Sequence, residues 1–189
     1  MVSGQRPKSN QLIITPFENA DLSQFRDSLD AAAKLCRLEP VFSNDLYFTY
    51  PLTEAESKRR QRDAVCLIRT VRESLEERNA GKVPVLIVTN QDLFAGRSVF
   101  VFGIANSTMR LAAMSTARLT RWFEGITPSI VQERILKEAA HEAGHLVALE
   151  HCTVEACPMA QSSKIEEIDT RLPVFCKACR IKITKLIFT

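Results

Sequence analysis

The sequence has 189 residues, of which 46% are hydrophobic and 25% are charged. This balance predicts one globular core with room for a small appended lobe, and it excludes two unrelated full domains. The formal net charge of +3 is spread along the chain, so it gives no reason to expect binding to nucleic acid or to an anionic membrane.

The N-terminal stretch MVSGQRPKSNQLIITP contains no apolar run of signal-peptide length. No later segment approaches the roughly 20 apolar residues that a membrane span requires. We therefore expect a cytoplasmic protein, which we also expect to be a monomer. In a reducing compartment, clustered cysteines are more often metal ligands than disulfides.

The first part of the chain alternates strand-like and helix-like segments. Residues 11–15 form an apolar run that predicts a strand, and residues 21–37 place apolar side chains at helical spacing. Residues 40–49 contain a candidate second strand, and a second helical period begins at Ala64.

The middle of the chain predicts three further strands. Residues 83–89 are a continuous β-branched run, typical of a central strand buried on both faces. Residues 98–105 predict its antiparallel neighbour, because the connection between them is short. Residues 111–118 predict another strand. This order of elements indicates an α/β or α+β fold with a mixed, mostly parallel sheet and helices packed on it.

A long helix is predicted to begin at Thr127 and Pro128, with the threonine as N-cap and the proline at the first helical position. After residue 151 the sequence changes to a cysteine-spaced, loop-rich tail. We therefore expect an upper subdomain at 1–151 that ends in the long helix, and a C-terminal subdomain at 152–189.

All three histidines of the chain fall within eleven residues, HEAGHLVALEH. On a helix His141 and His145 are one turn apart, about 6 Å in rise, so that two imidazoles can bind one metal ion. Glu142 follows the first histidine and can reach a water molecule at the metal. This pattern predicts a catalytic metal site.

His151 makes the pattern more specific. On a continuous helix it would lie about 15 Å along the axis from His141, too far for both to bind the same ion. If all three histidines are ligands, the helix must end between His145 and His151, and the chain must turn back.

Two alternatives remain open for the histidines. They can be ordinary core or surface groups of a buried helix, each with its own hydrogen-bond partner. Otherwise His141 and His145 can bind a metal together with Glu166 or Glu167 from a later helix, which leaves His151 unexplained.

The three-histidine set predicts zinc chemistry. Neutral imidazoles leave Zn²⁺ with one open position, where it acidifies water and polarises a carbonyl group. Glu142 is then the general base that takes the proton of the attacking water. We expect hydrolysis of a peptide or protein substrate without a covalent intermediate.

Four of the six cysteines follow the spacing C-x4-C and, further on, C-x2-C. They are Cys152, Cys157, Cys176 and Cys179. Four thiolates form a closed tetrahedral site, which predicts a second, structural zinc ion that helps to fold the tail. Reduced cysteines in a loop are the alternative.

Residues 138–179 resemble the archaemetzincins, or archaelysins, a branch of the metzincin zinc metallopeptidases. Their signature joins H-E-x-x-H-x-x-G-x-x-H to a four-cysteine site and a methionine-containing turn. The matching residues are His141, Glu142, His145, His151, Cys152, Cys157, Met159, Cys176 and Cys179. The resemblance implies a metzincin-like fold and activity, Met159 as the turn methionine beneath the metal, and a strand at 98–105 that pairs with an extended substrate.

Ala148 occupies the position of the family's glycine. If the turn requires a positive φ, alanine costs about 1 kcal/mol there. This departure favours a competing hypothesis, in which the chain is a zinc-stabilised interaction module with a degenerate or inactive histidine site.

Overall fold

The computed structural model describes residues 10–18, 20–43, 48–77, 83–121 and 125–187. Within these ranges, the strands form one five-stranded and one two-stranded sheet. They are β1 (Gln11–Pro16), β2 (Glu39–Phe42), β3 (Arg62–Asp63), β4 (Val85–Thr89), β5 (Leu93–Phe94), β6 (Gly103–Asn106) and β7 (Leu111–Ser115). The large sheet has the order β2-β1-β4-β7-β6, with β6 antiparallel to β7 and the other pairs parallel. The predicted mixed, mostly parallel sheet is confirmed.

Helices cover both faces of the large sheet. They are α1 (Arg26–Leu35), α2 (Glu54–Arg59), α3 (Ala64–Glu77), α4 (Pro128–Leu146), α5 (Ile165–Asp169) and α6 (Lys177–Ile187). Side chains of α1 and α4 share one hydrophobic core, and those of α3 belong to a second core on the opposite face. In the part of the chain that the structure describes, no helix combines the length and apolar character needed to cross a bilayer.

β4 lies at the centre of the sheet, as its uninterrupted apolar run predicts. All five of its residues are buried. Leu86 and Val88 pack into the core of α1 and α4, whereas Val85 and Ile87 pack into the core of α3. The alternation follows from the strand itself, because successive side chains point to opposite faces of a sheet.

The strand predicted at 98–105 differs from the structure in length and partner. β6 begins only at Gly103, and β7 separates it from β4, so the expected antiparallel pairing with β4 is wrong. Between them the chain first forms β5, which pairs with β3 in the small sheet. β2 and β7 are found where residues 40–49 and 111–118 predict strands, although residues 44–47 lie outside the described ranges.

α4 begins where the sequence predicts. Pro128 is the first helical residue, and Oγ1 of Thr127 accepts a hydrogen bond from the N–H of Ile130 at 3.4 Å. Val131 and Ile135 are buried in the core beneath the sheet. The helix contacts both β7 and β6, so its last turns reach the edge of the sheet.

The segment after residue 151 contains two helices where the sequence predicted a loop-rich tail. Ile168, Phe175 and Ile183 from this segment are buried in the same core as α1 and α4. The first of these helices, α5, could not be predicted from the sequence, because its five residues are too few to show a helical period.

An ion pair between a buried arginine of α4 and an aspartate whose side chain is 34% exposed fastens α5 to α4. Arg134 is 1% exposed, and its guanidinium donates two hydrogen bonds of 2.6 Å to the carboxylate of Asp169. The same guanidinium donates to the carbonyl of Leu119 at 3.4 Å. The pair therefore holds the C-terminal segment against the helix that carries two of the histidines.

Replacing Asp169 by asparagine tests this attachment. A hydrogen bond to a charged group contributes about 1.5 to 3 kcal/mol, so Asp169→Asn should lower the free energy of unfolding by about 2 kcal/mol in urea denaturation. Asp30→Asn is the matched control, because Asp30 is as exposed as Asp169 but its partner Lys34 is exposed, and the change should cost about 0 to 1 kcal/mol. Equal effects of the two changes would contradict the role of the buried arginine.

Candidate metal centre

The three histidine side chains converge at the end of α4. Nε2 of His141 and Nε2 of His145 lie 3.1 Å apart. The ring centroid of His151 lies 5.3 Å from that of His141 and 4.9 Å from that of His145. One nitrogen from each ring lies within 4.8 Å of the other two. The structure therefore brings together the three residues that the sequence predicts as ligands.

A reverse turn after α4 brings His151 back to the helix. α4 ends between His145 and His151, which confirms the predicted position of the helix end. The N–H of Ala148 donates to the carbonyl of His145 at 3.0 Å, and the N–H of Leu149 donates to that of Gly144 at 2.9 Å. These bonds form a Schellman motif with Ala148 in the left-handed region, at φ +62°. Alanine thus adopts the conformation that favours glycine.

Two backbone carbonyl groups fix the first two imidazoles. Nδ1 of His141 lies 2.8 Å from the carbonyl oxygen of Pro158, and Nδ1 of His145 lies 2.8 Å from that of Leu149. A carbonyl oxygen only accepts hydrogen bonds, so each Nδ1 carries a proton. In the neutral rings each Nε2 is therefore left with a lone pair.

Burial keeps these rings neutral. Burial, followed by the charge of His145, lowers the pKa of His141 to about 3, and burial also lowers the pKa of His145. Two lone pairs thus face each other at 3.1 Å with no proton between them, which is repulsive unless a cation lies beside both. Tetrahedral zinc with bonds of about 2.0 to 2.1 Å places nitrogen ligands about 3.3 Å apart. The donor set therefore fits zinc.

Glu142 lies against the edge strand β6. It is 2% exposed, and a Cβ added to Gly103 would lie 2.4 Å from its Oε1. Burial, followed by the charge of Glu138, raises the pKa of Glu142 well above its usual range. Oε2 of Glu142 has no hydrogen-bond partner among the described residues. The site therefore contains a buried carboxyl group that holds a proton more tightly than an exposed one.

Met159 lies beneath the part of α4 that carries the histidines. It is fully buried, and a Cβ added to Gly144 would lie 2.4 Å from its Sδ. Its carbonyl oxygen accepts a hydrogen bond of 2.8 Å from the N–H of Cys152. Glycine at position 144 thus leaves the space that the methionine side chain occupies.

The four C-terminal cysteines form a second cluster. Sγ of Cys152 lies 3.8 Å from that of Cys176, and Sγ of Cys157 lies 3.8 Å from that of Cys179. All four sulfur atoms lie within 4.8 Å of one another. A disulfide needs about 2.05 Å, whereas zinc–sulfur bonds of about 2.3 Å in a tetrahedron place the sulfurs about 3.8 Å apart. The cluster therefore fits a closed metal site rather than disulfides.

The thiols of this cluster differ in acidity. Burial is the largest cause that raises the pKa of Cys157 and of Cys179. Burial acts in the same direction on Cys176, but hydrogen bonds, first that from the N–H of Cys179, lower its pKa to about 7. A metal ion must displace the remaining thiol protons, so its binding here weakens as the pH falls.

Two cavities meet at the histidine cluster. The larger has a volume of about 650 Å³ and is bordered by β6 and by the turn at Ala148. The smaller, of about 180 Å³, is bordered by the loop before β6 and by Gln161. His141, Glu142 and His151 line both, so the cluster is open to two adjoining spaces.

The alternative third ligands, Glu166 and Glu167, are not members of the histidine cluster. Glu167 instead accepts hydrogen bonds from the N–H groups of Ser163 and Lys164, at 2.7 and 3.4 Å, where α5 begins. These bonds, that from Ser163 above all, lower the pKa of Glu167. Within the described ranges, His151 is the residue that completes the cluster.

Three further residues of the site are not predicted by the sequence pattern. Gly103 contacts Glu142 across the fold. Arg171 donates a hydrogen bond of 3.2 Å to the carbonyl of Pro158, the same group that orients an imidazole. Glu138 lines the smaller cavity one turn before Glu142. The four-residue spacing between Glu138 and Glu142 could have identified Glu138, because residues four apart share a helix face. The contacts of Gly103 and Arg171 are long-range and leave no local sequence pattern.

A helix that carries H-E-x-x-H beneath a mixed sheet, followed by a turn to a third histidine, is the arrangement of metal-dependent peptidases. The sequence model of peptidase family M54 matches residues 54–185 of the chain. The chain belongs to this peptidase family.

Relatives named archaemetzincin share the sequence. One from Aeropyrum pernix is 37% identical over 101 residues, which cover 53% of this chain and 53% of that protein. One from Archaeoglobus fulgidus is 32% identical over 152 residues, covering 76% of this chain and 85% of that protein. The chain thus spans about half the length of the Aeropyrum relative and more of the Archaeoglobus one.

Solved structures share the fold. The crystal structure of archaemetzincin from Methanopyrus kandleri has a TM-score of 0.78 at 28% identity, covering 96% of this chain and 97% of that chain. That of a zinc-dependent peptidase from Methanocorpusculum labreanum has a TM-score of 0.77 at 26% identity, covering 91% and 99%. The predicted resemblance to archaemetzincins and the fold that it implies are confirmed.

Replacing Ala148 by glycine measures the strain in the turn. The left-handed conformation costs an L-residue about 1 to 2 kcal/mol, so Ala148→Gly should raise the free energy of unfolding by about 1 kcal/mol in urea denaturation. Ala31→Gly, inside α1, is the matched control and should lower it by about 1 kcal/mol. A loss of stability at both positions would show that Ala148 is not strained.

Proposed function

We propose that this chain is a zinc-dependent peptidase in which His141, His145 and His151 hold the catalytic zinc and Glu142 is the general base. The observation that carries the proposal is the pair of Nε2 atoms 3.1 Å apart, in rings whose Nδ1 protons are bound to carbonyl groups. His151 adds a third nitrogen to the same cluster. Membership of a peptidase family and similarity to a zinc-dependent peptidase support the proposal.

Glu142 is suited to move a proton during hydrolysis. When bound by the three neutral imidazoles, zinc would polarise a peptide carbonyl and make water acidic enough to attack it near neutral pH. The buried carboxylate of Glu142, whose Oε2 has no partner among the described residues, takes the proton of the attacking water. Glu142 would then pass this proton to the leaving amine.

The edge of the sheet offers a surface for an extended peptide. β6 is the last strand in the sheet order, and Gly103, Ile104 and Ala105 line the larger cavity beside the histidines. Backbone groups at a sheet edge can pair with an added strand. In this proposal the substrate lies along β6 with the scissile bond at the histidine cluster.

The cysteine cluster is assigned a second, structural zinc ion. Its ligands are Cys152, Cys157, Cys176 and Cys179. Four sulfur ligands leave no open position, and the energy of metal binding adds to the stability of residues 152–189 as a C-terminal subdomain. All six cysteines are unpaired, which suits a reducing compartment such as the cytoplasm.

A second candidate function is a zinc-stabilised interaction module with an inactive histidine site. The strained turn at Ala148 favours it, because the turn sets the position of His151, and His151 is exposed. Such a module would keep the zinc of the cysteine cluster and hydrolyse no peptide.

Metal analysis together with Glu142→Gln separates the two candidates. We expect about two zinc ions per chain, one of which a mild chelator removes without unfolding the protein. Glu142→Gln should keep both ions and reduce hydrolysis of a peptide library by about 100-fold or more. Glu133→Gln, at an exposed position of α4, is the matched control and should leave kcat/KM unchanged. Hydrolysis that survives Glu142→Gln rules out this mechanism.

Gly103→Ala tests the contact between β6 and the general base. The added Cβ would lie 2.4 Å from Oε1 of Glu142, so the carboxylate must move. A displacement of about 1 Å costs about 100-fold, so we expect that loss in kcat/KM with unchanged zinc content. The double variant Gly103→Ala, Glu142→Asp has a shorter carboxylate and should recover part of any stability lost by the alanine. A kcat/KM that does not change on Gly103→Ala would refute the contact.

A further inference from the structure

The smaller cavity beside the histidine cluster has a size and lining that suit one side chain. Its volume is about 180 Å³, whereas small-molecule sites usually have about 300 to 1,000 Å³. It shares His141, Glu142 and His151 with the larger cavity. A side chain that enters it therefore belongs to a residue next to the bond that is cleaved.

Glu138 is a buried carboxylate in the wall of this cavity. It is 3% exposed, and its Oε2 has no hydrogen-bond partner among the described residues. Nη1 of Arg171 is 4.0 Å away, beyond hydrogen-bond distance, and donates instead to the carbonyl of Pro158. A buried carboxyl oxygen without a hydrogen bond is costly, so Oε2 of Glu138 gains from a cationic donor that reaches it through the cavity.

The rest of the lining is amphipathic. Phe100 and Phe102 pack edge to face, with centroids 5.2 Å apart, and form an apolar wall. Gln161 and Ser162 add polar groups. An apolar stem that ends in a charged head matches this combination, and lysine and arginine have such side chains.

Lysine fits better than arginine. The guanidinium of Arg118 already stacks on Phe100, at 3.8 Å from the ring centroid, and pairs with Asp92. A second guanidinium therefore cannot use that aromatic face. The compact ammonium group of lysine needs no such face and donates three hydrogen bonds.

We propose that Glu138 is a specificity-determining residue, and that the cavity it lines selects substrates with lysine next to the scissile bond. The selection rests on the proposed peptidase function. Glu138 accepts hydrogen bonds from the lysine ammonium group, while the apolar wall contacts the lysine stem.

A peptide series measures the selection. Lysine, norleucine, arginine or glutamate is placed in turn on either side of the scissile bond. Norleucine keeps the apolar stem and lacks the ammonium group. Because a hydrogen bond to a charged group is worth about 1.5 to 3 kcal/mol, kcat/KM should be about 10- to 100-fold higher for lysine than for norleucine on one side of the bond.

Glu138→Gln should reduce this ratio to about threefold or less, and Glu133→Gln should leave it unchanged. The ratio compares two peptides on the same variant, so a general loss of activity cancels. If Glu138→Gln unfolds because Arg171 is left unpaired, Glu138→Gln with Arg171→Met removes both charges and gives the same readout. A parent protein without a lysine preference, or a preference that persists without Glu138, overturns the proposal.

Binding separates this proposal from the proposed function. The same peptides are titrated against zinc-loaded Glu142→Gln, in which hydrolysis is blocked, and their Kd values are compared. If Glu142→Gln binds the lysine peptide more tightly than the norleucine peptide, the lysine site is supported. If the parent protein also hydrolyses no peptide, the peptidase function fails while the lysine site stands. Hydrolysis by the parent with equal Kd for lysine and norleucine peptides overturns the lysine site alone.

Discussion

The hydrogen bonds from two imidazoles to backbone carbonyls determine what the histidine cluster can bind. They commit the Nδ1 protons of His141 and His145, so that both Nε2 lone pairs point to one place. The accepting carbonyls belong to Pro158 and Leu149, in the chain that follows α4. The helix therefore supplies two of the imidazoles, and the segment after it supplies their orientation and the third imidazole. Neither part forms the cluster alone.

The same corner of the molecule holds several buried ionisable groups. Burial, which dominates over the nearby charge of Arg171, raises the pKa of Glu138 to about 7, and the pKa of Glu142 is also raised. When an acid has a higher pKa in the folded state than in the unfolded state, the free energy of unfolding falls as the pH rises. For Glu138 the loss runs from its unfolded value of about 4.3 up to about 7. A cation bound beside these groups would offset the cost of their charged forms.

The sequence predicts features that depend on local pattern and fails where contacts are long-range. The apolar run of β4 and the cap at Thr127 are local, and both are confirmed. The helix end before His151 follows from the reach of one metal ion, a constraint that needs no knowledge of the fold. The predicted partner of β6 is wrong because the short connection after β4 gave no sign that the chain first forms β5, which pairs with β3 in the small sheet. The contact of Gly103 with Glu142 joins two elements 39 positions apart in the sequence, and no spacing rule covers it.

The strain at Ala148 is small beside the energies that hold the turn. A left-handed alanine costs about 1 to 2 kcal/mol, whereas binding of structural zinc contributes about 10 to 16 kcal/mol at pH 7 in small zinc domains. The turn is fixed on both sides, by the bond from His145 to the carbonyl of Leu149 and by the bond from Cys152 to that of Met159. Since Cys152 directly follows His151, a metal ion bound at the cysteine cluster would restrain the third imidazole as well. With the alanine in place, these contacts still hold His151 beside the other two imidazoles.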